Sequence, residues 1–334
     1  MTKLIAETAW HHEGDYVFMK NLVTRICETS SADIVKLHIT LDLDEYMSKD
    51  HDAYKTLKSW MLSAKQWEEL IGIVRNNGKE LMLLLNDTKA IDFASKFNPE
   101  MIEIHSVCLN VPRLQRAVIE NIDKKAKVVI GIGGCSLDEV KKAVQFFHER
   151  EIVLMFGFQN YPTKYENVNL GKIRKIQALY PGKNFGYADH TAWNEDNNEL
   201  ITLLVSANGM DFIEKHVTTD YGKERCDYSA AISIEQLNML YKKIKLLENL
   251  YGDGSMLLNK AEEDYSKYGP MKMAAIAKHN LVKGSKLTMG DVHFCRTSQS
   301  TGISQIDLLQ VIGNKLVEDV KINQVIDWNH IRER

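Results

Sequence analysis

Proline and cysteine are scarce in this chain of 334 residues, each occurring 5 times, and neither sign of charge dominates. With 44 % apolar residues, such a composition excludes a collagen-like repeat, a disordered chain and a disulfide-framed miniprotein. The cysteines Cys27, Cys108, Cys135, Cys226 and Cys295 are odd in number, scattered and free of any C-x-x-C pair, so no zinc site can be read from them. Buried thiols in a reducing compartment are expected instead. Apolar runs such as Leu81 to Leu85 fall far short of the ~20 residues a membrane span requires. The start, MTKLIAETAW, has no basic or long apolar leader, which predicts a cytoplasmic protein. Lys and Arg number 42 against 45 Asp and Glu, a net charge of -3. No basic field is available for a nucleic-acid backbone, whereas an anionic small molecule needs only a few local cations.

What is present is alternation. Short apolar or β-branched runs occur at 3–8, 33–39, 80–86, 101–105, 127–132, 152–158, 184–189 and 211–216, separated by segments of 3.6-residue periodicity. The helical segments include 65–75, 136–148 with Ser136 as N-cap, 170–179 and 234–250. Eight strands with eight helices, and no G-x-G-x-x-G after the first strand, predict an α/β fold, a (β/α)8 TIM barrel over residues 1–250, rather than an open doubly wound sheet. The polar, glycine-bearing stretch 251–271 reads as a linker, and 272–334 as a small second domain with strand-like pieces at 274–278 and 291–295 and a turn at Lys283-Gly284. The glycines of GIGG at 131–134 suit a tight strand-to-helix turn better than a phosphate loop. Trp60, Trp67 and Met271 to Met273 read as packing residues.

In a barrel the functional side chains project from the C-terminal strand ends. Those ends carry Glu7, Lys36 with His38, Asn86 with Asp87, His105 with Ser106, Gln159, Asp189 with His190, and Lys215 with His216. An apolar core has no use for so many ionisable groups, because each costs several kcal/mol to bury without a partner. His190 and His216 close neighbouring strands, so both imidazoles can converge on one first-row divalent ion in an open catalytic site, acting on a carbonyl oxygen as Lewis acid. Lys36 and Lys215 supply positive charge for a phosphate or carboxylate, although Lys215 also fits a salt bridge at the barrel rim, with Glu214 as partner. Glu7 is placed to orient a metal-bound water or exchange a proton. One of His11 and His12 is expected to touch substrate, and Tyr161, in a Tyr-Pro-Thr turn, to face the pocket.

The motifs HHEGD (11–15), VKLH (35–38), YPTKYENVNL (161–170), GYADHT (186–191) and IEKHVTTD (213–220) resemble, in order, those of the bacterial sialic acid synthase (N-acetylneuraminate synthase) family. The tail from 272 is similar to the antifreeze-like (SAF) domain that ends those enzymes. The resemblance implies condensation of phosphoenolpyruvate with the open-chain aldehyde of an N-acylated amino sugar, release of phosphate, and a domain-swapped homodimer. It also implies that His190 and His216 hold a metal, normally Mn2+. In the same way Glu7 lies near the metal-bound water, Lys36 and Ser106 hold the donor, Tyr161 lines the pocket, Asp227 contacts the acceptor, and Arg296 reaches the partner's acceptor. The chain departs from the family at one end of the pocket. Glu103 stands where the family usually has a lysine, and Leu84, Gly131 and Ala188 replace hydroxyl-bearing residues. Charge-assisted hydrogen bonds contribute about 1.5 to 3 kcal/mol each, so a trianionic donor is held less well unless Gln159, Asn160, His105 and Lys215 rebuild its site. Three readings follow. The first is a metal-dependent synthase using phosphoenolpyruvate, the second a metal-dependent aldolase or epimerase of sugar acids that does without it, and the third a noncatalytic sugar-binding protein.

Overall fold

The computed structural model describes residues 2–157 and 160–331. Eight parallel strands follow one another around a closed barrel: β1 (Lys3–Glu7), β2 (Ile34–Ile39), β3 (Glu80–Leu85), β4 (Met101–Ile104), β5 (Lys127–Gly131), β6 (Ile152–Gly157), β7 (Asn184–Asp189) and β8 (Phe212–Thr218). Closure is explicit in the register, where Glu7 lies opposite Lys36 of β2 on one side and His216 of β8 on the other. A short ninth strand, β9 (Ala231–Ser233), which the sequence pattern does not signal, adds to β8 in parallel.

The helices follow from spacing and caps. In Tyr16–Thr29 the buried residues Met19, Leu22, Val23 and Ile26 form one apolar stripe, and the Asp15 carboxylate caps the start by accepting from the Phe18 N–H. In Leu137–Phe146, Ser136 is the N-cap expected from the sequence and shares a reciprocal capping box with Glu139.

Parallel strands are buried on both faces, and here each face has its own apolar layer. Leu4, Val35, Leu37, Leu83, Ile213 and Val217 point outward and pack under the helices. Ile5, Ile34, Met82, Met101, Val129, Val153, Met155, Ala188 and Phe212 form a separate inner plug. That plug is the platform on which the mouth residues stand.

The chain divides into two units, Met1–Tyr251 and Gly252–Arg334. The second has its own small core, including Ala275, Leu287, Val292, Leu308, Leu316 and Ile326, around an antiparallel pair, β10 (Ala274–Ala277) and β11 (Val292–Cys295). Gly284 takes a φ of 88°, as the expected turn at Lys283-Gly284 requires. The stretch read as a linker contains a helix, Lys260–Tyr265, started by an Asn259–Glu262 capping box. Cys27 and Cys108 are buried as expected, whereas Cys135, Cys226 and Cys295 are half-buried. No helix among the described residues is long and apolar enough to cross a membrane.

Candidate active site

The inner residues that follow the apolar plug toward the C-terminal strand ends are ionic. Glu7, Lys36, Glu103 and Glu214 come from β1, β2, β4 and β8, and all four are buried. The Lys36 ammonium lies 2.6 Å from Glu103 Oε2, 2.9 Å from Glu214 Oε1 and 3.2 Å from Glu7 Oε2. Glu7 Oε2 also faces His216 Nε2 at 3.3 Å. Beyond this layer opens a cavity of about 210 Å³ whose wall includes His38, Leu84, His105, Gly131, Gly133, Tyr161, Ala188, His190, His216 and Asp227.

Electrostatics follow from burying one cation among several anions. Burial alone would depress the Lys36 ammonium, but Glu103, Glu214 and Glu7 together raise it well above its usual value. Burial and then the charge of Glu7 push the Glu214 carboxyl up to about 8. Burial also raises Glu103 and lowers His38, His105 and His216, leaving these imidazoles neutral.

His190 and His216 converge, with ring centroids 5.0 Å apart. The Tyr161 ring lies 4.4 Å from His190, and its hydroxyl is 3.2 Å from His190 Nε2. The contact with Glu7 favours the proton of His216 on Nε2, which leaves Nδ1 as a lone-pair donor, buried and without a hydrogen-bond partner. This orphaned nitrogen beside a second imidazole fits a divalent ion with two protein ligands. Among the described residues no three His, Cys, Asp or Glu side chains gather to cage a metal, so its other positions would fall to water and substrate oxygens. Asp227 holds a φ of 61° after β8, and its carboxylate accepts from the Trp10 N–H at 3.2 Å.

Glu7, Lys36, Tyr161, His190, His216 and Asp227 thus share one cavity. Lys215 does not. Glu214 and His216 face inward and Lys215 outward, where its ammonium donates to Asp189 Oδ2 at 3.1 Å and Asn198 Oδ1 at 2.9 Å. The rim salt bridge is therefore real, with Asp189 and not Glu214 as the partner. Ser106 stands behind His105 in a short turn, its hydroxyl buried without a partner among the described residues, and it is not on the cavity wall. His11 and His12 are fully buried beside the cavity rather than on its wall, with His11 edge-on to His216 at 5.8 Å. Arg296, in the second unit, is exposed and donates to the Pro270 carbonyl. Gln159 lies outside the described residues. Glu103, which the sequence reading sets at the altered end of the pocket, and Glu214, which it offers only as a rim partner for Lys215, both close on Lys36. Their signal was a charged residue at an inward position of an otherwise apolar strand.

A 26 % identical relative, the N,N'-diacetyllegionaminic acid synthase of Legionella pneumophila, matches 98 % of this chain and 94 % of its own length. The uncharacterized protein MJ1065 of Methanocaldococcus jannaschii is 28 % identical over 99 % of this chain and 94 % of that one. Among solved structures, the spore coat polysaccharide biosynthesis protein E of Chromobacterium violaceum superposes with a TM-score of 0.85 at 19 % identity, covering all of both chains, a likeness of fold. The NeuB family model matches residues 24–256, which span β2 to β8 and most of the mouth, so this chain belongs to the NeuB family.

Proposed function

We propose that this chain is a metal-dependent synthase that joins phosphoenolpyruvate to the aldehyde of an N-acylated amino sugar of the N-acetylmannosamine kind, giving a nonulosonic acid of the sialic type and phosphate. The single observation that carries the reading is the convergence of His190 and His216 beside Glu7 and Lys36 at the mouth of a NeuB-family barrel. In the reaction C3 of the enol bonds to the aldehyde carbon, water adds at C2, and phosphate leaves from C2. A divalent ion held by His190 and His216, manganese in this proposal, would polarise the aldehyde oxygen. Glu7, held between Lys36 and His216, takes the proton of the water that adds at C2. Asp227, fixed by the Trp10 N–H, accepts from hydroxyls of the sugar, and the Tyr161 hydroxyl borders the reacting carbons. Ser106 and Gln159 serve the donor. The proposal extends to a cytoplasmic, domain-swapped homodimer in which the tail is an antifreeze-like domain and Arg296 serves the partner's acceptor site.

A second reading rests on one specific observation: Lys36, the sole lysine or arginine on the described cavity wall, is engaged by three carboxylates. In that reading the donor is an unphosphorylated 2-oxo acid and the enzyme is a metal-dependent aldolase. Incubation with N-acetylmannosamine and either phosphoenolpyruvate or pyruvate separates the two. Phosphate release matching loss of phosphoenolpyruvate supports the first, and keto-acid formation from pyruvate alone supports the second. His190→Ala and His216→Ala should each abolish manganese retention together with activity. Full activity in either variant would reject both readings.

A further inference from the structure

We infer that Glu103 is a specificity-determining residue at the donor end of this cavity, where it occupies Lys36 and sets the site against a phosphate-bearing ligand relative to one with a single carboxylate. The inference rests on the cavity being the donor site, which both readings share.

An ammonium has three N–H groups, and at Lys36 three carboxylates lie within 3.2 Å of the nitrogen. Its hydrogen bonds go to both oxygens of Glu214, and a phosphate oxygen would have to compete with all three acidic groups to reach it. Glu103 is the nearest of the three, at 2.6 Å. It enters from β4, and its other oxygen, Oε1, lies 3.3 Å from where a side chain at Gly131 would begin, so the carboxylate extends toward the turn after β5. The described wall offers no second lysine or arginine, and Leu84, Gly131, Gly133 and Ala188 carry no polar side chain. Counted over the described wall, Glu7, Glu103, Glu214 and Asp227 face Lys36 alone, a negative excess that a divalent ion at His190 and His216 would reduce and that Glu103 enlarges by one charge. In a buried site that excess repels a ligand in proportion to the ligand's own charge. A trianion is penalised far more than a monoanion.

The test is calorimetric binding to the full-length chain at neutral pH with manganese present, using phosphoenolpyruvate and pyruvate as separate probes. Glu103→Gln keeps the shape of the side chain and removes its charge. The variant should bind phosphoenolpyruvate about tenfold or more tightly than the parent, while pyruvate binding changes less than about threefold. Glu103→Met, which removes hydrogen bonding as well, should move the ratio in the same direction, and a melting curve for each shows that it is folded. A folded variant of either kind that gains nothing for phosphoenolpyruvate overturns the inference. So does an equal gain for both probes, since that would be an effect of shape. A shifted ratio with no product from either donor removes the proposed function and leaves the inference standing. Binding of neither probe to any form counts against both.

Discussion

His12 illustrates how burial fixes protonation around this mouth. Its ring is fully buried, its Nδ1 accepts from the Gly14 N–H, and burial followed by the neighbouring His11 lowers it from 6.5 to about 4. A folded-state value below the unfolded one means that the unfolded chain takes up the proton first. The stabilisation is complete above pH 6.5 and is lost as pH falls from there toward 4. At 1.36 kcal/mol per pH unit this amounts to about 3 kcal/mol for His12. Urea denaturation at pH 7 and pH 4 should therefore show His12→Asn losing about 3 kcal/mol less than the parent over that interval. Equal losses would show that this ring is not buried neutral. Other residues carry the opposite sign. Glu214, raised to about 8, favours the fold at low pH and costs stability as pH rises from its ordinary carboxylate range toward 8. The sequence points to His12 as a mouth residue and to Glu214 only as a rim salt-bridge partner, and the protonation of each depends on what closes over it, which composition does not carry.

At the level of elements, β8 shows where sequence reading succeeds and where it stops. Glu214, Lys215 and His216 are consecutive, and every second side chain of a strand shares a face. In a strand with one wet face, the polar residues would reveal which face is which. β8 is buried along its whole length, so the alternation has no visible phase, and the sequence leaves Lys215 between a ligand contact and the salt bridge that the structure shows. Helix starts are easier, because a cap is a local interaction between residues three apart. Ser136 accepts from the Glu139 N–H, and the Glu139 carboxylate accepts from the Ser136 N–H, on an exposed surface. Ser136→Ala should therefore cost about 1 kcal/mol in chemical denaturation without altering ligand binding. A loss above about 3 kcal/mol would mean that the serine does more than cap the helix.

For the molecule as a whole, closure of the barrel is what turns scattered sequence positions into one site. Glu7 and His216 are separated by most of the barrel unit, yet they are register partners because β1 pairs with β8. The count of βα units made closure legible, and with it the meeting of Glu7, Lys36, His190 and His216. The three-carboxylate grip on Lys36 was not legible, since it depends on how side chains from β1, β4 and β8 reach across the interior. The central claim is that the two mouth imidazoles serve carbon–carbon bond formation at a sugar aldehyde. Its most direct measurement is mass spectrometry of the products formed from N-acetylmannosamine with phosphoenolpyruvate or pyruvate, with manganese added and with it chelated. The account predicts a keto acid extended by three carbons that appears only with the metal and is missing in His216→Ala. An extended product of undiminished yield after chelation, or from the His216 variant, would contradict it.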